Sequence, residues 1–238
     1  MRVLGALAFC LVSCATLAQP PAPPPDPFKG SAALGYLSTS GNTDSTNGNA
    51  SFKVTWDLMG PWKHDWNALA INARTAGVTT AEAYSAGYKA QRDFSATSYL
   101  FASGDWRQDR FSGYDKQVTE AVGYGRRLID TGRHTLALEG GAGAKQSDLI
   151  DGTELDEVIV RGGFDYLLRI TENSEFNQKI LIEQGEDNRY SESTSALKAR
   201  IVGNLAIVLS YVIKNNSDVP VGIEKTDRFT AISLEYGF

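Results

Sequence analysis

From Ser31 to the C-terminus, apolar and polar residues alternate with a period of two. Successive side chains of a strand point to opposite faces, so this period marks strands with one apolar and one polar face. Between Gly48 and Leu58, one face collects Gly48, Ala50, Phe52, Val54, Trp56 and Leu58, and the other Asn49, Ser51, Lys53, Thr55 and Asp57. Val158, Val160, Gly162, Phe164, Tyr166, Leu168 and Ile170 oppose Glu157, Arg161 and Asp165 in the same way. At the end of the chain, Ile232, Leu234, Tyr236 and Phe238 alternate with Ser233, Glu235 and Gly237. The pattern predicts twelve strands, at 31–40, 46–58, 63–74, 82–93, 97–109, 116–128, 133–146, 156–169, 174–186, 193–202, 205–215 and 224–238. Strands 63–74 and 116–128 are the least regular; Glu120 and Val122 share a face, which leaves inside and outside unassigned there.

The connections carry separate information. Met59–Trp62, Phe94–Ala96, Asp130–Gly132, Thr171–Asn173 and Gly203–Asn204 read as tight turns. Between them fall longer polar links, at 40–45, 75–81, 110–115, 147–155, 187–192 and 216–223. A sheet with short connections at one end and long ones at the other, and an even strand count, has the layout of an outer-membrane barrel. Each strand is long enough, at about 9–11 residues or more, to cross hydrocarbon at a tilt. No helix-period segment interrupts, which disfavours α/β folds. The expected fold is all-β: one transmembrane, antiparallel, up-and-down β-barrel of about 12 strands over residues 31–238, with both ends periplasmic.

The polar faces decide which side meets lipid. They carry Lys53, Lys89, Lys145, Arg161, Asp165, Glu175, Lys179, Glu183, Lys198, Arg200 and Glu235. Burying so many unpaired charges in a dry core would cost several kcal/mol each, whereas a hydrated or ion-paired lumen avoids that cost. The apolar faces then turn to lipid, and closure satisfies every strand amide. Trp56, Trp62, Trp66, Tyr84 and Phe176 lie near expected strand ends, where interfacial aromatic girdles form. Phe238, with Tyr236, Leu234 and Ile232 before it, resembles the C-terminal signal of barrels inserted by the outer-membrane assembly machinery. The lipid bilayer and that machinery are therefore the expected partners.

The first residues read as an address. Met1-Arg2, an apolar run from Val3 to Val12, and Thr16-Leu17-Ala18 before Gln19 form a secretory signal peptide, residues 1–18. Leu11-Val12-Ser13-Cys14 offers a rival lipoprotein cleavage point. Cleavage after Ala18 removes Cys10 and Cys14, which are all the cysteines of the chain. The proline-rich segment 19–30 reads as an extended periplasmic linker.

Composition narrows the functional classes. The chain has 238 residues and a net charge of −5, too acidic for phosphate neutralisation on a nucleic acid. His64 and His134 sit beside short turns, away from the outer-leaflet position that a lipid hydrolase would require. Gly140–Lys145 lacks the ending and the following helix of a phosphate loop. Asp148, Asp151, Glu154, Asp156 and Glu157 form an acidic link without EF-hand spacing. Arg126, Arg127, Arg133 and His134 surround one turn and flank the apolar band. No cofactor is implied.

Several short motifs are similar to those of a known family. Gly41-Asn42-Thr43, Asp105–Phe111 and Lys225-Thr226-Asp227 resemble its hallmarks, as do Gly123-Tyr124-Gly125, with a departure in order, and the Tyr236-Gly237-Phe238 ending. These identify the chain with the salt-induced outer-membrane proteins, the YdiY-like barrels. The resemblance implies an outer-membrane barrel of Gram-negative bacteria, and a role under salt or osmotic stress. It supplies no catalytic or binding residues. The expected function is a non-enzymatic narrow channel or structural envelope barrel. An outer-membrane lipid-modifying enzyme and a soluble periplasmic ligand-binding barrel are the alternatives. Twelve strands lie between filled and open barrels, and a lumen lined by both signs of charge predicts small or absent conductance.

Overall fold

The structure is a computed structural model and describes residues 27–39, 45–58, 60–109 and 112–238. The leader, most of the proline-rich segment, Gly41-Asn42-Thr43, Arg110 and Phe111 lie outside the described residues. The described chain forms twelve strands: β1 (Phe28–Thr39), β2 (Ser45–Asp57), β3 (Trp62–Thr75), β4 (Val78–Asp93), β5 (Ser98–Asp109), β6 (Tyr114–Asp130), β7 (His134–Leu149), β8 (Glu154–Thr171), β9 (Ser174–Gln184), β10 (Arg189–Val202), β11 (Leu205–Asn216) and β12 (Thr226–Gly237). Each pairs antiparallel with its neighbours in sequence, and β1 pairs β12 to close a barrel. At that seam the Gly30 amide donates to the Phe238 carbonyl at 2.8 Å, and the Phe238 amide returns the bond to Gly30 at 2.9 Å. Closure removes the free edges that would otherwise leave strand amides unpaired in lipid.

The apolar faces point outward. Val158 is 81% exposed, whereas Ile159, its neighbour on the opposite face, is 1% exposed. Phe52, Val160 and Leu234 are likewise large and exposed. Near the short-turn end the outer wall carries an aromatic belt. His64 stacks on Trp62, Trp66 and Tyr88, and its Nδ1 lies 2.7 Å from Tyr88 Oη. His134 Nδ1 lies 2.8 Å from Tyr166 Oη in the same fashion. Glu120, unassigned from sequence, stands on the outer face beside Val122 and pairs in register with Gly104 and Ala144.

Three expectations need correction. Strand β1 begins at Phe28, inside the expected linker, because Phe28 and Lys29 pair with Trp56 and Thr55 and the Phe28 ring lies 6.2 Å from that of Phe238. The expected long link at 75–81 is a tight hairpin. Ala76 (φ 49°) and Gly77 (φ 79°) both adopt left-handed backbone, as a type I′ turn requires, so Val78 and Thr79 join β4. Tyr84 therefore lies within β4, away from its end. The links after β7 and β9 are also tight, spanning only 150–153 and 185–188, so the sorting of loops by length is weaker than expected. Among the described connections only 217–225 is long.

The inner wall uses glycine to admit aromatic rings. A Cβ at Gly125 would lie 2.2 Å from the Tyr99 ring, and one at Gly123 would lie 2.6 Å from Phe101 Cζ. Two rings of β5 thus lie flat against the bare backbone of β6.

Candidate functional site: a lumen crossed by ion pairs

Alternation puts Asp105, Arg107 and Asp109 of β5 on the inner face, opposite Thr119 and Gln117 of β6. Their partners come from strands across the barrel. Arg107 donates from both guanidinium arms to Glu183 of β9, at 2.9 and 3.0 Å. Arg161 of β8 donates to Asp105 at 2.6 Å and to Glu183 at 3.3 Å. Side chains of β5 meet those of β8 and β9 only through the interior, so the Arg107–Glu183 and Arg161–Asp105 bonds fix the polar face as the lumen wall. Glu183 is 0% exposed and accepts from two guanidinium groups, the arrangement that makes a buried carboxylate tolerable. The Arg107 guanidinium also lies 4.5 Å from the centre of the Tyr190 ring, whose hydroxyl donates to Glu192 at 2.5 Å. Lys145, 1% exposed, holds its ammonium 5.7 Å from the same ring. Lys214 of β11 reaches Asp109 at 3.5 Å. Together these groups form a dry plug in the half of the lumen nearer the long-loop end.

Above the plug, Asn188 ties the mouth together. Its Nδ2 donates to Tyr114 Oη (3.1 Å) and Asn216 Oδ1 (2.9 Å). Its Oδ1 accepts from the Ser217 hydroxyl and the Asp218 amide, both at 3.2 Å. Glu157 accepts the amides of Asp187 and Asn188, at 2.7 and 3.1 Å. Glu157 is therefore taken up by the neck of the β9–β10 turn, and the described residues hold no metal-binding cluster. In the outer part of the same acidic link, the Thr153 amide donates to Asp151 at 2.9 Å and holds that carboxyl below the ordinary aspartate range.

Below the plug the lumen changes character. Lys89 bonds Glu139, which also accepts the Tyr99 hydroxyl at 2.8 Å. Lys198 lies 2.7 Å from Glu235 and 3.7 Å from Glu175. Asp165 accepts from Asn177 at 2.7 Å. Lys53, Asp165, Lys179 and Arg200 are nonetheless exposed, so water reaches this wall. Nearer the short-turn end, Arg127 grips both oxygens of Asp93 at 2.9 Å.

All eleven charges singled out from sequence stand on the inner face. They divide into a plug (Lys145, Arg161, Glu183) and a hydrated chamber (Lys53, Lys89, Asp165, Glu175, Lys179, Lys198, Arg200, Glu235). Tyr236 and Phe238 stand on the outer face by the seam, with the Phe238 ring 6.4 Å from Phe52. The sequence reading did not select Tyr190, Glu192 or Asn188, and it singled out Asp105 and Arg107 only within the Asp105–Phe111 motif, not as lumen charges. The alternation of Asp105, Arg107 and Asp109 was a readable signal for the first two. Nothing local marks Asn188.

Among solved structures, the barrel is similar to an outer membrane channel from Pseudomonas putida F1, with a TM-score of 0.54 and 9% identity over 91% of this chain and 97% of that one. It is also similar to the NanC porin, with a TM-score of 0.50 and 10% identity over 88% of this chain and 97% of that one. At these identities the likeness is one of fold. The uncharacterized protein YdiY of Escherichia coli (strain K12) is 30% identical over 223 residues, 93% of this chain and 87% of YdiY. The model of the family described as "Protein of unknown function, DUF481" matches residues 32–238. With nearly the whole barrel matched, and a relative aligned along almost all of its length, this chain belongs to the DUF481 family of YdiY-like proteins.

Proposed function

We propose that the protein is a non-enzymatic outer-membrane barrel, exported by its leader and inserted through its Phe238 ending, whose lumen is a narrow channel held shut at rest. The observation that carries this reading is the Arg107–Glu183 pair, which spans the lumen at 2.9 and 3.0 Å within a dry cluster. A barrel fold shared with a porin and an outer membrane channel supports it. Both histidines are engaged by tyrosine hydroxyls on the outer wall, a poor arrangement for a general base, and this favours a non-enzymatic role. A function under salt or osmotic stress extends the reading and rests on the motif resemblance alone.

Planar-bilayer recording of protein purified from membranes tests it. The expected result is small or absent conductance, rising when Arg107 and Glu183 are exchanged together for neutral residues. Large, stable, strongly selective currents from the unaltered protein overturn it.

A further inference from the structure

Gly163 opens the inner wall just below the plug. It is flanked in register by Glu139 of β7 and Leu181 of β9, and along β8 by Arg161 and Asp165 on the same face. The β9 backbone approaches so closely that a Cβ at Gly163 would lie 2.4 Å from the Ile180 carbonyl oxygen, so this position stays bare. Ala137, the partner of Asp165 on β7, adds only a methyl group. The result is a cavity of about 60 Å³, bordered by Gly163 and by Lys89, Ala137, Glu139, Arg161, Asp165 and Lys179. At about 10–15 Å³ for each water, it has room for about four waters, or for one solute of about five non-hydrogen atoms.

The charges around this cavity are unevenly satisfied. Glu139 is bonded by Lys89 and by the Tyr99 hydroxyl. Arg161 is taken up by Asp105 and Glu183. Asp165 and Lys179 are cross-strand partners, border the same cavity and are both exposed to the hydrated part of the lumen. No ion pair joins them, and neither has one elsewhere among the described residues. Asp165 accepts the Asn177 amide at 2.7 Å, and the Lys179 ammonium has no hydrogen bond among the described residues. The rim of the cavity thus offers one unpaired charge of each sign. A simple anion would meet Asp165 and Glu139 as well as Lys179, and a simple cation would meet the ammonium of Lys179. A solute carrying both charges a short distance apart satisfies both groups, each by a charge-assisted hydrogen bond.

We propose that this cavity binds a small zwitterion of the α-amino acid type, with its carboxylate on Lys179 and its ammonium on Asp165, over the bare backbone of Gly163. The solute arrives through the hydrated part of the lumen and is stopped by Arg161 and the Arg107–Glu183 pair above it. This deepens the channel reading by naming its solute class, and rests on it for access. One contact of each sign holds a solute while leaving it free to depart, as passage through a lumen requires.

The test uses protein purified from membranes, in detergent at low salt, and saturation-transfer NMR of glycine. Acetate and methylammonium serve as probes that carry only one of the two charges. Folding of every variant is checked by heat-modifiable gel mobility. Saturable binding of glycine is expected, with acetate and methylammonium each about tenfold or more weaker. Asp165→Asn and Lys179→Gln should each weaken glycine binding by a similar factor, and Ala137→Leu, which fills the cavity and alters no charge, should abolish it. Lys116→Gln, an exposed lysine near the opposite end, should leave it unchanged. Absence of saturable glycine binding overturns the proposal. So does acetate or methylammonium binding as tightly as glycine, and so does glycine binding that ignores either charge substitution or survives Ala137→Leu. The two readings fail separately: absent glycine binding with small currents leaves the closed channel standing, whereas large resting currents remove the channel reading whatever the spectra show.

Discussion

Arg107 on β5 and Glu183 on β9 face each other through the hollow of the barrel and are joined by two parallel hydrogen bonds, at 2.9 and 3.0 Å, with the carboxylate wholly removed from solvent. A pair in this position does two separable things. It blocks the lumen, and it sets the energetic cost of unblocking it. A guanidinium and a carboxylate withdrawn from water tolerate each other only while both are present. Any opening of the lumen must hydrate both groups or provide each with another partner.

Removing one member alone therefore destabilises the barrel. Arg107→Ala leaves Glu183 with the single, longer bond from Arg161, and the expected loss is about 3–5 kcal/mol. Exchanging both members, Arg107→Met with Glu183→Leu, removes the unmatched charge and is expected to recover most of that stability. Unfolding by urea in detergent micelles measures both. A double variant as unstable as the single one would show that the pair contributes more than mutual neutralisation.

The outer wall makes the opposite demand. Leu209, in the middle of β11 and exposed, is expected to lie deep in hydrocarbon. Leu209→Arg should cost about 2–4 kcal/mol, and Val158→Arg less, since Val158 lies nearer the long-loop end of its strand. Folding titrations into liposomes compare the two. Equal penalties, or none, would contradict a lipid-facing band.

This division of faces is also what made the fold readable. From Val158 to Ile170 one side of the strand meets lipid and the other meets water and charge, and each environment selects its residues position by position. Closure of twelve strands followed from the same pattern. The partnerships were hidden because they depend on strand tilt and barrel size. Lys89 on β4 meets Glu139 on β7, and no spacing along the chain announces that pair. Glu120 was unreadable because an exposed carboxylate sits on the face that also carries Val118, Val122 and Tyr124. The hairpin at Ala76-Gly77 was obscured by the polar Thr79 and Thr80 after it, which read as loop and form strand. Phe28 was absorbed into the prolines before it, although its ring belongs with Phe238 at the seam.

At the mouth, Asn188 donates to Tyr114 and Asn216 and accepts from Ser217 and Asp218. Asn188→Ala removes both amide donors and the carbonyl at once, and the buried Tyr114 hydroxyl loses a donor. A loss of about 1–3 kcal/mol is expected. The change should be local, with faster hydrogen exchange at the Asp218 amide and quicker tryptic cleavage after Lys225, while exchange in β1 to β4 stays unaltered. Uniform acceleration across the barrel would mean that Asn188 supports the whole fold rather than the 217–225 loop.

The inner wall supplies a sharper test of how tightly the chamber is built. Tyr99 lies flat on Gly125 because no side chain stands there, and in that pose its hydroxyl reaches Glu139 at 2.8 Å. Gly125→Val forces the ring off the wall, since even a Cβ would sit 2.2 Å from it. The ring is 3% exposed, with the Arg127 guanidinium 4.9 Å and the Lys89 ammonium 5.5 Å from its centre, so its displacement disturbs both. The expected cost of this overpacking is about 1–3 kcal/mol. Adding Tyr99→Ala to Gly125→Val should return part of that cost, because the clash partner is gone, although Tyr99→Ala alone destabilises by exposing the bare backbone of β6 and leaving Glu139 with Lys89 but without its hydroxyl donor. A double-mutant cycle on urea unfolding reads the coupling directly. Additive effects would separate the glycine from the ring and leave the close approach of β5 to β6 without an energetic role.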